Sequence, residues 1–103
     1  MRYWVLVAIY LLGGLQSAAA GDTRGFILAS SCFNCHGPGG MSKGSIPDIS
    51  ALSATQIATA LKAFRDGSKE ATVMDRLARG YADDEVAAIA QWFEHSKAAG
   101  KSK

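Results

Sequence analysis

The 103-residue sequence predicts an all-α domain, and three observations carry that reading. Apolar residues recur with the helical period in separate stretches, no stretch alternates apolar and polar residues as a half-buried strand would, and helix-starting and helix-stopping residues bracket the stripes.

Residues 1–20 stand apart from the fold. Arg2 gives a positive start, residues 3–12 form an apolar run, and Ala18, Ala19 and Ala20 offer a small-residue cleavage site, which is the layout of a secretory signal cut after Ala20. The run is too short for a stable membrane anchor. One domain, residues 21–103, is expected to remain.

Residues 23–31 suit a helix and lead without a breaker into Cys32-Phe33-Asn34-Cys35-His36, which Gly37-Pro38-Gly39-Gly40 stops. Gly25, Leu28, Cys32 and Cys35 would then share one face, with Gly25 small enough to let another helix approach closely. Residues 37–52 are rich in Gly and Ser and contain Ile46-Pro47-Asp48, so they read as loop. Ser53 and Gln56 form a capping box before Ile57, Ala60, Leu61 and Phe64, a short amphipathic helix ended by Gly67. Residues 68–81 are less regular, with a helical turn or two around residues 74–79 and Gly80 as the expected C-cap. Asp83, Asp84 and Glu85 put negative charge at the start of a last helix whose stripe is Val86, Ile89, Ala90 and Phe93 and whose tail carries Lys97, Lys101 and Lys103.

This domain has little apolar mass with which to fold. Leu, Ile, Val and Phe make up 15 of its 83 residues, and its charge is nearly balanced, with ten basic against nine acidic side chains. Such a share implies disorder only when net charge is high, so a disulfide, metal or cofactor is expected to complete the core. Near-neutrality also argues against a nucleic-acid partner, since neutralising many phosphates needs a basic face.

The pentapeptide at Cys32 names that cofactor. Thiols three residues apart on one helical turn can both reach the vinyl groups on a haem edge, and the adjacent His36 then lies beneath the iron, so Cys32 and Cys35 are expected to hold one covalent haem c. The rivals are a disulfide and a zinc site. A thioredoxin-like motif would open a helix after a strand, whereas this one closes a helix in a chain without strands; zinc would need a fourth ligand, and the other histidine, His95, lies off the last helix's stripe.

An iron ligand on the opposite face would come from Met41 or Met74. Met41 follows His36 by five residues, a reach of about 17 Å at full extension, and the Gly-rich loop makes a straight run round a haem disc improbable. Met74 follows by 38 residues, past a whole helix, and is the expected distal ligand; its bland alternative is core filling.

With Cys32 to Gly37, Ile46-Pro47, Met74, Arg79-Gly80-Tyr81 and a closing helix carrying Trp92-Phe93, nearly all of the domain resembles the small class I cytochromes c. The run Ala71-Thr72-Val73-Met74-Asp75-Arg76-Leu77-Ala78-Arg79-Gly80-Tyr81 is most similar to the haem subunits of flavocytochrome c sulfide dehydrogenases. The resemblance implies a class I cytochrome c fold of three to five helices around one haem. It also implies that the Pro47 carbonyl accepts a hydrogen bond from the inner nitrogen of His36 and raises its donor strength, with plain loop stiffening as the alternative for Pro47. Leu28 and Phe93 read as core, Trp92 as core edge or partner surface, and Tyr81 as a propionate contact or packing residue. Lys43, Lys62, Arg65 and Lys69 could ring a haem edge or simply be solvated.

Two filled axial positions leave no site for oxygen or substrate, so the expected activity is electron transfer without a catalytic site of its own. The chain lacks a Gly-x-Gly-x-x-Gly fingerprint and room for a flavin domain. The resemblance therefore implies a separate periplasmic FAD-containing flavoprotein that oxidises sulfide, from which this chain would take electrons for a soluble carrier. The alternative is a free monohaem carrier between a membrane complex and a terminal oxidase.

Overall fold

A computed structural model of the chain describes the backbone of residues 16–101 and the side-chain surroundings of residues 23–97. Five α-helices follow one another, α1 (Gln16–Ser30), α2 (Phe33–His36), α3 (Ala54–Asp66), α4 (Met74–Ala78) and α5 (Asp83–Lys101), with one 3-10 turn, Pro38–Gly40, after α2; the described residues contain no strand. Of the expected leader, residues 1–15 lie outside the described residues, and α1 begins at Gln16, ahead of the expected cut after Ala20.

The apolar stripe of α5 supplies the wall on which the rest is built. Val86, Ile89, Ala90 and Phe93 are only 1–2% exposed, and Ile57 and Leu61 of α3, Ala29 of α1 and Ala78 of α4 close over them. Burying each larger side chain contributes about 1.5–3 kcal/mol. α1 and α3 both pack on α5, and α4 packs on α3. Where α1 meets α5, a Cβ on Gly25 would stand 3.2 Å from the Ala88 carbonyl oxygen and 3.5 Å from the Trp92 Cβ. The close approach read from Gly25 is thus realised, and an exposed Arg24–Asp84 pair at 2.9 Å lies beside it.

The helix expected to run unbroken through residues 23–36 is divided at Ser31 and Cys32. Ser30 donates its hydroxyl to the Ile27 carbonyl (2.7 Å) and Ser31 donates to that of Leu28 (2.8 Å). These side chains occupy carbonyls that the next helical N–H groups would use, and the Cys32 N–H turns instead to Ala29 at 3.0 Å. Cys35 therefore sits on the separate turn α2 and not on the face that Gly25 and Leu28 share.

α3 begins as its sequence implies. The Ser53 hydroxyl accepts from the Gln56 N–H at 3.1 Å, and the Gln56 side chain returns the bond to the Ser53 N–H at 2.9 Å. Glu94 of α5 takes the next orphan donor, the Ala54 N–H, at 3.0 Å. That bond, helped by Lys97, holds the Glu94 carboxyl below the usual carboxylate range. Gly67 then ends α3 in the left-handed conformation, φ 85° and ψ 4°. Gly80 is a correction: its φ is not positive, and α4 ends in a tightened turn with the Gly80 N–H on the Leu77 carbonyl (3.1 Å) and the Tyr81 N–H on that of Ala78 (3.2 Å).

Gly40 fixes how the loop after α2 returns to α5. Its φ is +80°, its carbonyl accepts the Ile49 N–H at 3.0 Å, and an added Cβ would meet Phe93 Cε1 at 2.8 Å and Ile49 Cγ1 at 2.9 Å. Gly40→Ala is expected to lower stability by about 2–4 kcal/mol, the sum of a left-handed residue with a Cβ and an overpacked core. Denaturant unfolding of the haem-loaded protein measures it, and a midpoint within error of the parent's would contradict the close contact.

Candidate functional site

α2 is one turn, and the turn carries the chemistry. The His36 N–H bonds the Cys32 carbonyl at 2.9 Å and the Gly37 N–H bonds that of Phe33 at 3.0 Å, after which Gly37, at φ 87° and ψ 166°, ends the helix. The side chain of His36 is 9% exposed, and its Nδ1 lies 2.6 Å from the carbonyl oxygen of Pro47. A carbonyl can only accept, so Nδ1 carries the ring proton and donates. In the neutral ring this tautomer puts the lone pair on Nε2, which is the form a metal ion requires. The contact implied for Pro47 is therefore present, and it sets both the tautomer and the direction of the ring.

Cys32 and Cys35 are free thiols, one half-buried and one exposed. Burial pushes the Cys32 thiol above its ordinary range, against smaller lowering effects from Ser31 and from the backbone. A thioredoxin-like site needs the opposite shift, toward a stable thiolate. The zinc reading fares no better, since among the described residues no group of three or more His, Cys, Asp or Glu is placed to hold a metal ion, and His95 is exposed.

The two methionines differ in burial. Met41 is 59% exposed, whereas Met74, the first residue of α4, is half-buried and packs against the core cluster. Asp75 beside it buries Oδ1 without a hydrogen-bond partner among the described residues. Six large apolar residues are exposed among the described residues: Phe26 and Ile27 on α1, and Met41, Ile46, Val73 and Leu77, the four that concern the site. These four belong to the segments that follow His36 and surround Met74, so both segments offer apolar surface to a bound group. An imidazole with its outer nitrogen free, two thiols at the attachment spacing, a thioether on a separate helix and apolar flanks together fit a haem.

Arg65 corrects one expectation. It is not a loose charge: Nη1 donates to the Tyr81 carbonyl at 3.1 Å and Nη2 pairs with Asp83, which ties the end of α3 to the start of α5. Lys69 lies 4.9 Å from the ring centre of Phe64, and Lys43 and Lys62 are exposed. Leu28 is half-buried against the core, and Trp92 is core edge, stacked among Phe26, Phe33 and Phe93 with ring centres 5.9, 5.4 and 5.1 Å away. The Tyr81 hydroxyl lies 2.8 Å from that of Ser31. Sequence reasoning passed over Ser31 and Glu94; the serine pair before Cys32 was the visible signal for the first, and no local signal marks the second.

The sequence family described as Cytochrome c matches residues 23–97. The cytochrome subunit of sulfide dehydrogenase of Chlorobaculum tepidum is 46% identical over 72 residues, which cover 70% of this chain and 66% of that protein. The thiosulfate dehydrogenase electron acceptor of Stutzerimonas stutzeri is 39% identical over 66 residues, 60% of this chain and 31% of that protein. Cytochrome c-554(548) of Halomonas halodenitrificans is 34% identical over 80 residues, 74% of this chain and 92% of that protein. The chain thus spans slightly under two thirds of the first of these relatives and about a third of the second.

Proposed function

Because the chain belongs to the cytochrome c family, whose members hold haem c covalently, we propose that it is the haem subunit of a sulfide-oxidising complex, taking electrons from a partner flavoprotein and passing them to a soluble carrier. The chain is an electron-transfer protein of the cytochrome c type.

In this reading Cys32 and Cys35 would hold the haem covalently, and His36 and Met74 would be its iron ligands. The bound group supplies one-electron chemistry, and methionine ligation raises its potential. The chain's own residues do the rest. The Pro47 carbonyl accepts the hydrogen bond from His36 Nδ1 and so fixes the direction of the ring. Ala78, buried against the core, anchors the helix that begins with Met74.

The observation that supports the sulfide assignment is the 46% identity to a sulfide dehydrogenase cytochrome subunit. A chain with near-balanced charge also steers transient partners weakly, which suits a permanent complex. The leader pattern of residues 1–20 supports a periplasmic location. The second reading, a free monohaem carrier, draws support from the similarity to an electron acceptor and to cytochrome c-554(548).

Gel filtration of the native extract tests the choice. The haem is expected to elute with a flavoprotein in a larger complex, and anaerobic sulfide added to that fraction is expected to reduce it. Haem found only at the monomer position, and left oxidised by sulfide with the flavoprotein present, would establish the free carrier instead.

A further inference from the structure

Met74 stands at the end of a long exposed stretch, for residues 66–73 are all exposed. What holds it lies downstream. Ala78 is buried, and three residues later Tyr81 is gripped at both ends: its carbonyl accepts from Arg65 Nη1 at 3.1 Å, and its hydroxyl meets Ser31 Oγ at 2.8 Å. Ser31 is the neighbour of Cys32, so this contact joins the segment that bears Met74 to the turn that bears both thiols and His36.

The direction of the bond follows from proton count. Ser31 has one hydroxyl proton, and the Leu28 carbonyl at 2.8 Å can only accept it. With the Ser31 proton on the Leu28 carbonyl, Tyr81 donates to Ser31 Oγ, giving a chain from Tyr81 through Ser31 to Leu28 in which each bond polarises the next. The Tyr81 ring itself is half-buried and packs against the core, so the hydroxyl is held in place from behind.

We infer that Tyr81 is a positioning residue for Met74, its hydroxyl bond to Ser31 holding the Met74 segment against the Cys32–His36 turn and so slowing departure of the sulphur from the iron. The inference rests on the reading of Met74 as distal ligand. It assigns Tyr81 to the protein framework, the role that its position in the sequence leaves open.

The test uses the ferric haem-loaded protein and imidazole as the probe, at concentrations where its entry is limited by loss of the sulphur. Tyr81→Phe keeps the ring and removes the donor, and should speed imidazole entry roughly fivefold, the factor that one ordinary hydrogen bond carries. Ser31→Ala should reproduce that rate, the double variant should add nothing further, and Ser31→Thr, which keeps a hydroxyl, should restore the parent rate. If Tyr81→Phe lowers the unfolding midpoint while imidazole enters at the parent rate, Tyr81 is only a packing residue and the inference falls. If the parent itself lacks a sulphur-to-iron charge-transfer band and takes imidazole as fast as Met74→Ala does, the Met74 reading fails and this one with it.

Discussion

A Cys32→Ala/Cys35→Ala variant, purified free of haem, is expected to lose most of its helical circular dichroism and its cooperative thermal transition. The buried core among the described residues consists of Ala29, Ile57, Leu61, Ala78, Val86, Ile89, Ala90 and Phe93, and three of those eight are alanine. Fixing each residue's backbone costs about 1–2 kcal/mol, which so few large side chains cannot offset in a domain of this size. Met41, Ile46, Val73 and Leu77 remain exposed where a bound apolar group would be their partner. A sharp melting transition in the haem-free variant would mean that α1, α3 and α5 suffice by themselves.

Replacing Met74 by Ala is expected to abolish the sulphur-to-iron absorption and to lower the reduction potential by on the order of 0.2 V, a quarter of the roughly 0.8 V that axial ligands span. Carbon monoxide should then bind the reduced protein readily. Met41→Ala should leave spectrum and potential close to the parent's, since Met41 is exposed in the loop after His36 and makes no part of the core. A potential that falls with Met41→Ala and holds with Met74→Ala would reverse the assignment.

Local chemistry made the site and most elements legible. The capping box of Ser53 and Gln56 needs only three residues, and the stripe of Val86, Ile89, Ala90 and Phe93 needs only helical periodicity; both are realised. The attachment motif was readable for a similar reason, since its spacing is a one-dimensional quantity. Two side-chain contacts made at a distance were not readable. Glu94 caps α3 across 40 residues, and Tyr81 finds Ser31 across 50, and neither pairing leaves a mark at either end. The break at Ser31 was missed because serine hydroxyls compete with the backbone for the same carbonyls, a contest whose outcome helix propensity does not record. Gly80 shows the converse, a glycine whose freedom the fold does not use as a left-handed cap.

The crossing of α1 over α5 at Gly25 and Ala88 closes a long loop of chain, and the entropy of closing a loop grows only with the logarithm of its length, about 0.6 kcal/mol for each doubling. Residues 70–72, beyond the Gly67 cap and ahead of Val73, can therefore be lengthened or replaced at almost no cost to the crossing, because none of them is buried. The segment around Pro47 has no such freedom, since one displaced residue there moves the carbonyl that holds His36. The scaffold thus separates an editable stretch, beside the methionine, from an uneditable one, beside the histidine, and new recognition surfaces can be grafted onto the first while the histidine side of the iron stays unchanged.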